Sequence, residues 1–305
     1  MGEEGCDRRG WLGVCCAGLV FLLVAGTIAS AQTELSYPDL GIPSLVAPAW
    51  FGPNAFPVPP MLDGATHDVL SAELSADAFV GYAGDLTLGP FARLRIPLFS
   101  NRATLSLWMT PFEWYRSTER RLDECRVADA KREAAMRGTT PGDVYVSTDV
   151  VLLTEGARRP GVAVRAAVKT ASGYDFDLAR TYDDPGYFFD LTVGKEFAIG
   201  GGGQTSLRVA ASTGFLCWQT DRGRQDDAAQ YGLLLRLHSG HLTTEATLAG
   251  YIGWEVGDKP MVASLKASWS VGEWQPYLLW QAGLHDWPFF QTRVGVVYNS
   301  DILKH

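Results

Sequence analysis

The chain has 305 residues, a formal net charge of −8, 47% apolar residues and 20% charged ones, which argues against disorder and allows one large all-β domain. An acidic balance without a basic stripe excludes nucleic acid as a natural partner. With 33 glycines, 10 tryptophans and 11 tyrosines against only 5 cysteines, the composition is one that outer-membrane β-barrels share.

Arg8 and Arg9 precede an apolar run over residues 11–29 that closes on Ala29, Ser30 and Ala31. A basic start, an apolar core and small closing residues predict a secretory signal peptide over residues 1–31, cleaved before Gln32. A retained anchor is the competing reading, because about 19 apolar residues can just span a bilayer. Glu3, Glu4 and Asp7 are unusual in a signal. Cys6, Cys15 and Cys16 would leave with it; Cys125 and Cys217 remain and read as two inert thiols. No later segment approaches about 18 consecutive apolar residues, so a helical membrane protein is not expected after the signal.

Residues 32–64 are proline-rich, with Pro38, Pro43, Pro48, Pro53, Pro57, Pro59 and Pro60. Proline lacks the N–H a ladder needs, so this leader cannot form a central strand. It is too apolar for a plain linker. The expectation is an extended segment docked against the barrel or inside its periplasmic mouth, with a disordered leader as the alternative.

From His67 onward the period becomes two. Leu70, Ala72, Leu74, Ala76, Ala78 and Val80 alternate with Ser71, Glu73, Ser75, Asp77 and Phe79. Similar alternation recurs along the chain to Phe290, Thr292, Val294, Val296 and Tyr298. The pattern predicts about twelve strands of roughly ten residues, long enough to cross hydrocarbon at a tilt. Residues 65–298 are therefore assigned to a transmembrane antiparallel up-and-down β-barrel and residues 299–305 to a tail.

The connections discriminate this from a soluble sandwich. Residues 100–101, 155–160, 200–203, 238–240 and 271–273 make one set of short turns, assigned to the periplasmic side. Residues 115–142, 173–186 and 219–228 make longer loops on the opposite, external side. That asymmetry is the one a transmembrane barrel shows. Tyr187, Phe189, Phe215, Tyr231, Trp254 and Phe290 are expected to face outward near the external rim, and Trp274 and Tyr298 near the other, as aromatic belts. Pro276 on an outward position predicts a bulge or a strand start.

The alternation points Glu73, Asp77, Glu113, Asp149, Asp190, Glu196 and Glu245 inward, together with Arg93, Arg95, Arg165, Lys169, Arg208, Arg236, Lys266 and Arg293. A Lys or Arg facing lipid instead would cost about 2–4 kcal/mol at the midplane. These fifteen residues are the candidate lumen lining. They read either as a polar pathway or as a lumen cross-linked by ion pairs, and the near-equal signs favour cross-linking. The 115–142 loop, with mixed charges over helix formers, predicts a short exposed helix that could cover the mouth or touch lipopolysaccharide. Asp175, Asp177, Asp183 and Asp184 form a possible cation-binding loop, because Ca²⁺ prefers oxygen ligands. Their spacing matches no defined calcium loop, and no other metal site is expected. His238, Ser239 and His241 resemble a hydrolase cluster in composition only, while His285 and Asp286 lack an evident serine. No catalytic residue and no cofactor is assigned.

The signal, the leader Phe51, Gly52, Pro53, Asn54, Ala55, Phe56, Pro57, Val58, Pro59 and the strands after it resemble outer-membrane β-barrel proteins of the Bacteroidota kind. The resemblance implies the fold but no defined activity. Such barrels often finish on an aromatic residue, whereas this chain continues from Tyr298 to His305. The function expected is passage of small polar or charged solutes through the outer membrane of a Gram-negative cell. A structural or partner-binding barrel with a filled ionic lumen is the alternative, and a lipid-modifying enzyme a further one. Outer-membrane lipid and lipopolysaccharide are the expected partners; a protein partner is left open.

Overall fold

A computed structural model describes residues 51–65, 67–99, 102–125, 127–175, 178–181, 185–199, 205–220, 224–253 and 257–300. Residues 1–50, with the expected signal peptide and the first part of the leader, lie outside them.

Fourteen strands form a single sheet. In chain order they are β1 (Leu70–Gly81), β2 (Leu86–Leu98), β3 (Ala103–Met109), β4 (Glu113–Arg116), β5 (Arg137–Thr140), β6 (Val144–Leu153) and β7 (Gly161–Lys169). There follow β8 (Gly186–Ile199), β9 (Thr205–Thr220), β10 (Arg224–Ser239), β11 (Leu242–Gly253), β12 (Met261–Trp269), β13 (Trp274–His285) and β14 (Phe289–Ser300). All ladders are antiparallel. β1 pairs with β2 on one side and with β14 on the other, from Leu70↔Ser300 to Gly81↔Phe289, which closes the ring. The closed ring has twelve strands, and β4 with β5 makes a hairpin standing above β3 and β6 at the loop end.

The period of two explains the ring. On β10, Leu233, Leu235 and Leu237 are exposed while Ala228, Gln230 and Leu234 are buried. Leu74, Leu94, Val168, Leu191, Leu265 and Val294 show the same outward exposure on other strands. So much bare apolar surface suits lipid rather than water. Aromatic side chains cluster toward both rims. Trp274 and Tyr298 lie 4.8 Å apart near the short turns, and Tyr187 stands 5.9 Å from Phe189 and 6.2 Å from Phe215 toward the long loops. Trp254 lies outside the described residues.

Two expectations shift in detail. Residues 219–228 are not a long loop: Thr220 pairs with Arg224, so β9 and β10 continue as a hairpin past the apolar band. Their outer rungs need no lipid-facing residue, which is why the alternation fades there. The 115–142 segment holds two short helices, α1 (Glu119–Glu124) and α2 (Arg132–Met136), instead of one. They are not merely solvated. Leu122, Cys125, Val127 and Ala135 form a small core, and Arg121 is buried. Pro276 is the third residue of β13, near the strand start, which is one of the two expected alternatives; the β12–β13 ladder ends at Ser268↔Tyr277, and on its other side Pro276 stands opposite Val296 of β14. Cys125 and Cys217 are both buried and form no disulfide, and burial raises the Cys125 thiol pKa.

Candidate functional site

Residues 51–65 run through the interior of the ring. At the loop end, Phe51 accepts a hydrogen bond on its carbonyl from Arg121 Nη2 at 2.7 Å, and Gly52 N donates to the Arg180 carbonyl at 2.9 Å. Asn54 Nδ2 donates to Glu113 Oε2 at 2.7 Å. Deeper in, Phe51, Ala55 and Phe56 share a core with Trp108, Tyr145, Phe188, Leu216, Trp218 and Tyr251, which are inward-facing side chains of five strands. Val58 joins this cluster to a second one of Phe79, Val262, Trp287 and Phe289. At the short-turn end, the Asp63 carbonyl accepts from Arg208 Nε at 2.9 Å and its carboxylate pairs with Arg236. The chain then turns into β1.

The plug can approach the wall this closely because the wall carries glycines there. A Cβ on Gly194 would stand 2.2 Å from the Asp63 carbonyl oxygen, and one on Gly161 would stand 2.5 Å from the Gly64 carbonyl oxygen. Gly64 itself has φ +71°, a left-handed conformation that glycine adopts without strain.

Sheet register organises the ionic residues into rungs. Glu196, Arg208, Arg236, Glu245 and Lys266 stand opposite one another on β8 to β12 in one continuous row. Asp149, Arg165 and Asp190 make a second row on β6 to β8. Neighbours of opposite sign pair across strands, as such rows favour. Arg165 bonds Asp190 at 2.7 Å, Arg236 bonds Glu245 at 2.6 Å, and Arg293 bonds Asp77 at 2.6 Å. Arg208 reaches Glu196 at 3.2 Å and Glu155 at 2.9 Å, and Arg93 faces Glu73 at 3.7 Å. Lys169 and Asp143, both fully buried, meet at 2.8 Å. Glu113, on β4 above the ring, is fully buried and pairs with Arg180.

Arg121 and Arg180 were not singled out by alternation, because neither lies on a strand. Both are buried at the plug's outer end, and Arg121 approaches Asp85 at 3.8 Å. Asp175 has φ +74° and its carbonyl accepts from Leu178 N and Arg180 N, a turn that aims Arg180 inward. The other three carboxylates of the expected cation loop, Asp177, Asp183 and Asp184, lie outside the described residues. Among the described residues no group of three or more His, Cys, Asp or Glu is placed to hold a metal ion.

Between the plug and the wall lies a cavity of about 520 Å³. It reaches from Ser268, Gln275 and Asn299 at the short-turn rim up to Trp108 and Trp287. His67 borders it, 3.9 Å from Asp63. Burial and the Arg95 cation push the His67 pKa down to about 4, against the opposing pull of Asp63. Burial alone would raise the Asp63 carboxyl, but Arg236 and then His67 outweigh it and hold Asp63 well below the carboxylate range.

A pH dependence follows. The docked His67 resists protonation, while a released one titrates near the ordinary 6.5. Docking is therefore strongest above pH 6.5 and weakens as pH falls toward 4, by up to about tenfold in the docking constant per pH unit. Asp63 stays ionised across this window and does not oppose the trend. Protease sensitivity of the leader between pH 7 and 4 measures it. His67→Gln should flatten the profile, and an unchanged profile in that variant would assign the effect to another group.

No catalytic pairing forms at His238 or His285. His238 Nδ1 meets Thr243 Oγ1 at 2.9 Å and His285 meets Asp286 at 3.0 Å, and both histidines are exposed. Among the described residues no serine bonds a histidine that is itself held by a carboxylate.

A closed ring of twelve antiparallel strands, apolar outside and ionic within, defines an outer-membrane β-barrel. The crystal structure of an outer-membrane channel from Pseudomonas putida F1 shares the fold, with a TM-score of 0.54 at 10% identity over 80% of this chain and 100% of the other. The NanC porin aligns at a TM-score of 0.48 and 9% identity over 74% of this chain and 98% of that one. The outer-membrane phospholipase A from Escherichia coli aligns at 0.40 and 14%, over 77% and 91% of the two chains. Identities this low speak for the fold alone. No protein-family model and no curated protein sequence matches the chain.

Proposed function

We propose that this protein is a channel for small polar or charged solutes in the outer membrane of a Gram-negative cell, exported by its signal peptide and held shut by its own leader. The observation that carries the reading is the course of residues 51–65, bonded to Arg121 and Arg180 at one end and to Arg208 and Arg236 at the other. A twelve-strand ring falls between small barrels filled by side chains and wide porins. Here a segment of backbone supplies filling. The leader's likeness to barrels of the Bacteroidota kind bears on the fold alone, and lipid with lipopolysaccharide would surround the ring.

A structural or partner-binding barrel is the second reading, favoured by the apolar cluster that joins Phe51 and Phe56 to the wall. Single-channel recording in planar bilayers separates the two. The full chain is expected to be closed or nearly so, and deletion of residues 32–64 should give steady conductance steps. Silence of both proteins, with both barrels folded, would sink the channel and favour the structural reading.

A further inference from the structure

The wall built by β1, β2 and β12 to β14 carries four cations, Arg93, Arg95, Lys266 and Arg293, against two carboxylates, Glu73 and Asp77. Asp77 is engaged by Arg293 through contacts of 2.6 and 2.7 Å. Glu73 faces Arg93 and accepts a hydrogen bond from the Tyr277 hydroxyl. Arg95 and Lys266 are left over. Among the described residues no carboxylate lies within ion-pair distance of either, and the Lys266 ammonium rests 4.1 Å above the Tyr277 ring. Both residues line the cavity.

Glu245 and Glu73 act on Lys266 only from beyond ion-pair distance, as Asp149 does on Arg95, so two cations without a contact partner in a confined space with low-dielectric walls favour an anion. Ser71, Ser264, Ser268 and Gln275 line the same space and can donate further hydrogen bonds. The volume, about 520 Å³, falls within the range of about 300–1,000 Å³ common to small-molecule sites.

We propose that Arg95 and Lys266 form a binding site for a small oxyanion, a carboxylate or a phosphate, inside the barrel. Arg95 offers the planar fork that grips two oxygens at once, and Lys266 a compact second charge. The ligand enters at the short-turn rim, which the cavity reaches past Gln275 and Asn299. The site names the solute class of the proposed channel and in that sense rests on the channel reading, but binding can be read without conduction.

The test is calorimetric titration of the full-length protein in detergent with succinate, with inorganic phosphate in a parallel arm and uncharged succinamide as the control. Saturable binding of one or both anions and none of succinamide is expected; the arm that binds identifies the oxyanion. Arg95→Gln and Lys266→Gln should each weaken it by about tenfold or more, the loss of one charge-assisted contact. Arg95→Lys, which keeps the charge, should lose less and guards against misfolding as the cause. No saturable binding of either anion, or native affinity retained by both glutamine variants, overturns the site. In bilayers the leader-deleted barrel should pass anions in preference to cations. Conduction without that preference removes the site and leaves the channel, whereas a silent barrel that still binds anions removes the channel and leaves the site.

Discussion

Arg180→Ala is expected to lower the unfolding free energy of the barrel by about 3–5 kcal/mol, the cost of leaving a buried charge without its partner. Glu113 is completely shielded from solvent, and Arg180 is the cation that meets it. The guanidinium also donates to Thr87 Oγ1 at 2.8 Å and stacks on the Tyr115 ring at 4.4 Å. Truncation removes these contacts together and leaves a carboxylate that water cannot reach. Urea refolding into lipid vesicles, read from the gel shift between folded and unfolded bands, measures the change. A loss below about 1 kcal/mol would mean the pair behaves like a solvated surface bridge. The double variant Glu113→Gln with Arg180→Met should recover most of the stability, because removing both charges leaves nothing stranded.

Gly194→Val should expel the plug while the ring survives. Valine suits a strand interior, and the neighbours Gly161 and Ala210 on the adjoining strands are small. The obstacle is the plug: the new Cβ would fall 2.2 Å from the Asp63 carbonyl oxygen, a backbone atom that cannot swing aside. The variant should keep its folded-barrel gel shift, expose residues 51–65 to protease, and conduct at a level approaching that of the leader deletion. In the leader-deleted protein the same substitution should add nothing. Protease resistance equal to that of the native chain would show that the plug can shift sideways at this point.

The ring itself was readable because lipid outside and ions inside force the strictest alternation a chain can carry. Leu233, Leu235 and Leu237 face out while Gln230 and Arg236 face in, and a slip of one residue would put Arg236 in hydrocarbon. The same alternation points the fifteen ionic side chains inward; the structure sets eight of them in two rows and places Glu113 on β4, above the ring. A leader docked on the barrel or in its periplasmic mouth was the expectation; its course up to the opposite, loop end was not readable, for two physical reasons. Its prolines say that residues 51–65 make no ladder but not where they go. Its outer anchors, Arg121 and Arg180, sit in loops whose charges look solvated until the fold buries them. One signal was available. Gly194 and Gly232 occupy inward positions on their strands, and a missing side chain on a lumen wall leaves room for something else to lie there.

The seam between β1 and β14 joins residues as far apart as Asp77 and Arg293, so the last-made strand must find the first before the ring exists. Pairing at such sequence separation is slow. The plug directly precedes β1, so synthesis produces it before any stave. Until the seam closes, Phe51 and Phe56 can be captured sideways by a curved open sheet; afterwards they could enter only lengthwise, through the opening at one rim. A plug seated before that seam closes would be wrapped by the barrel instead of threaded into it.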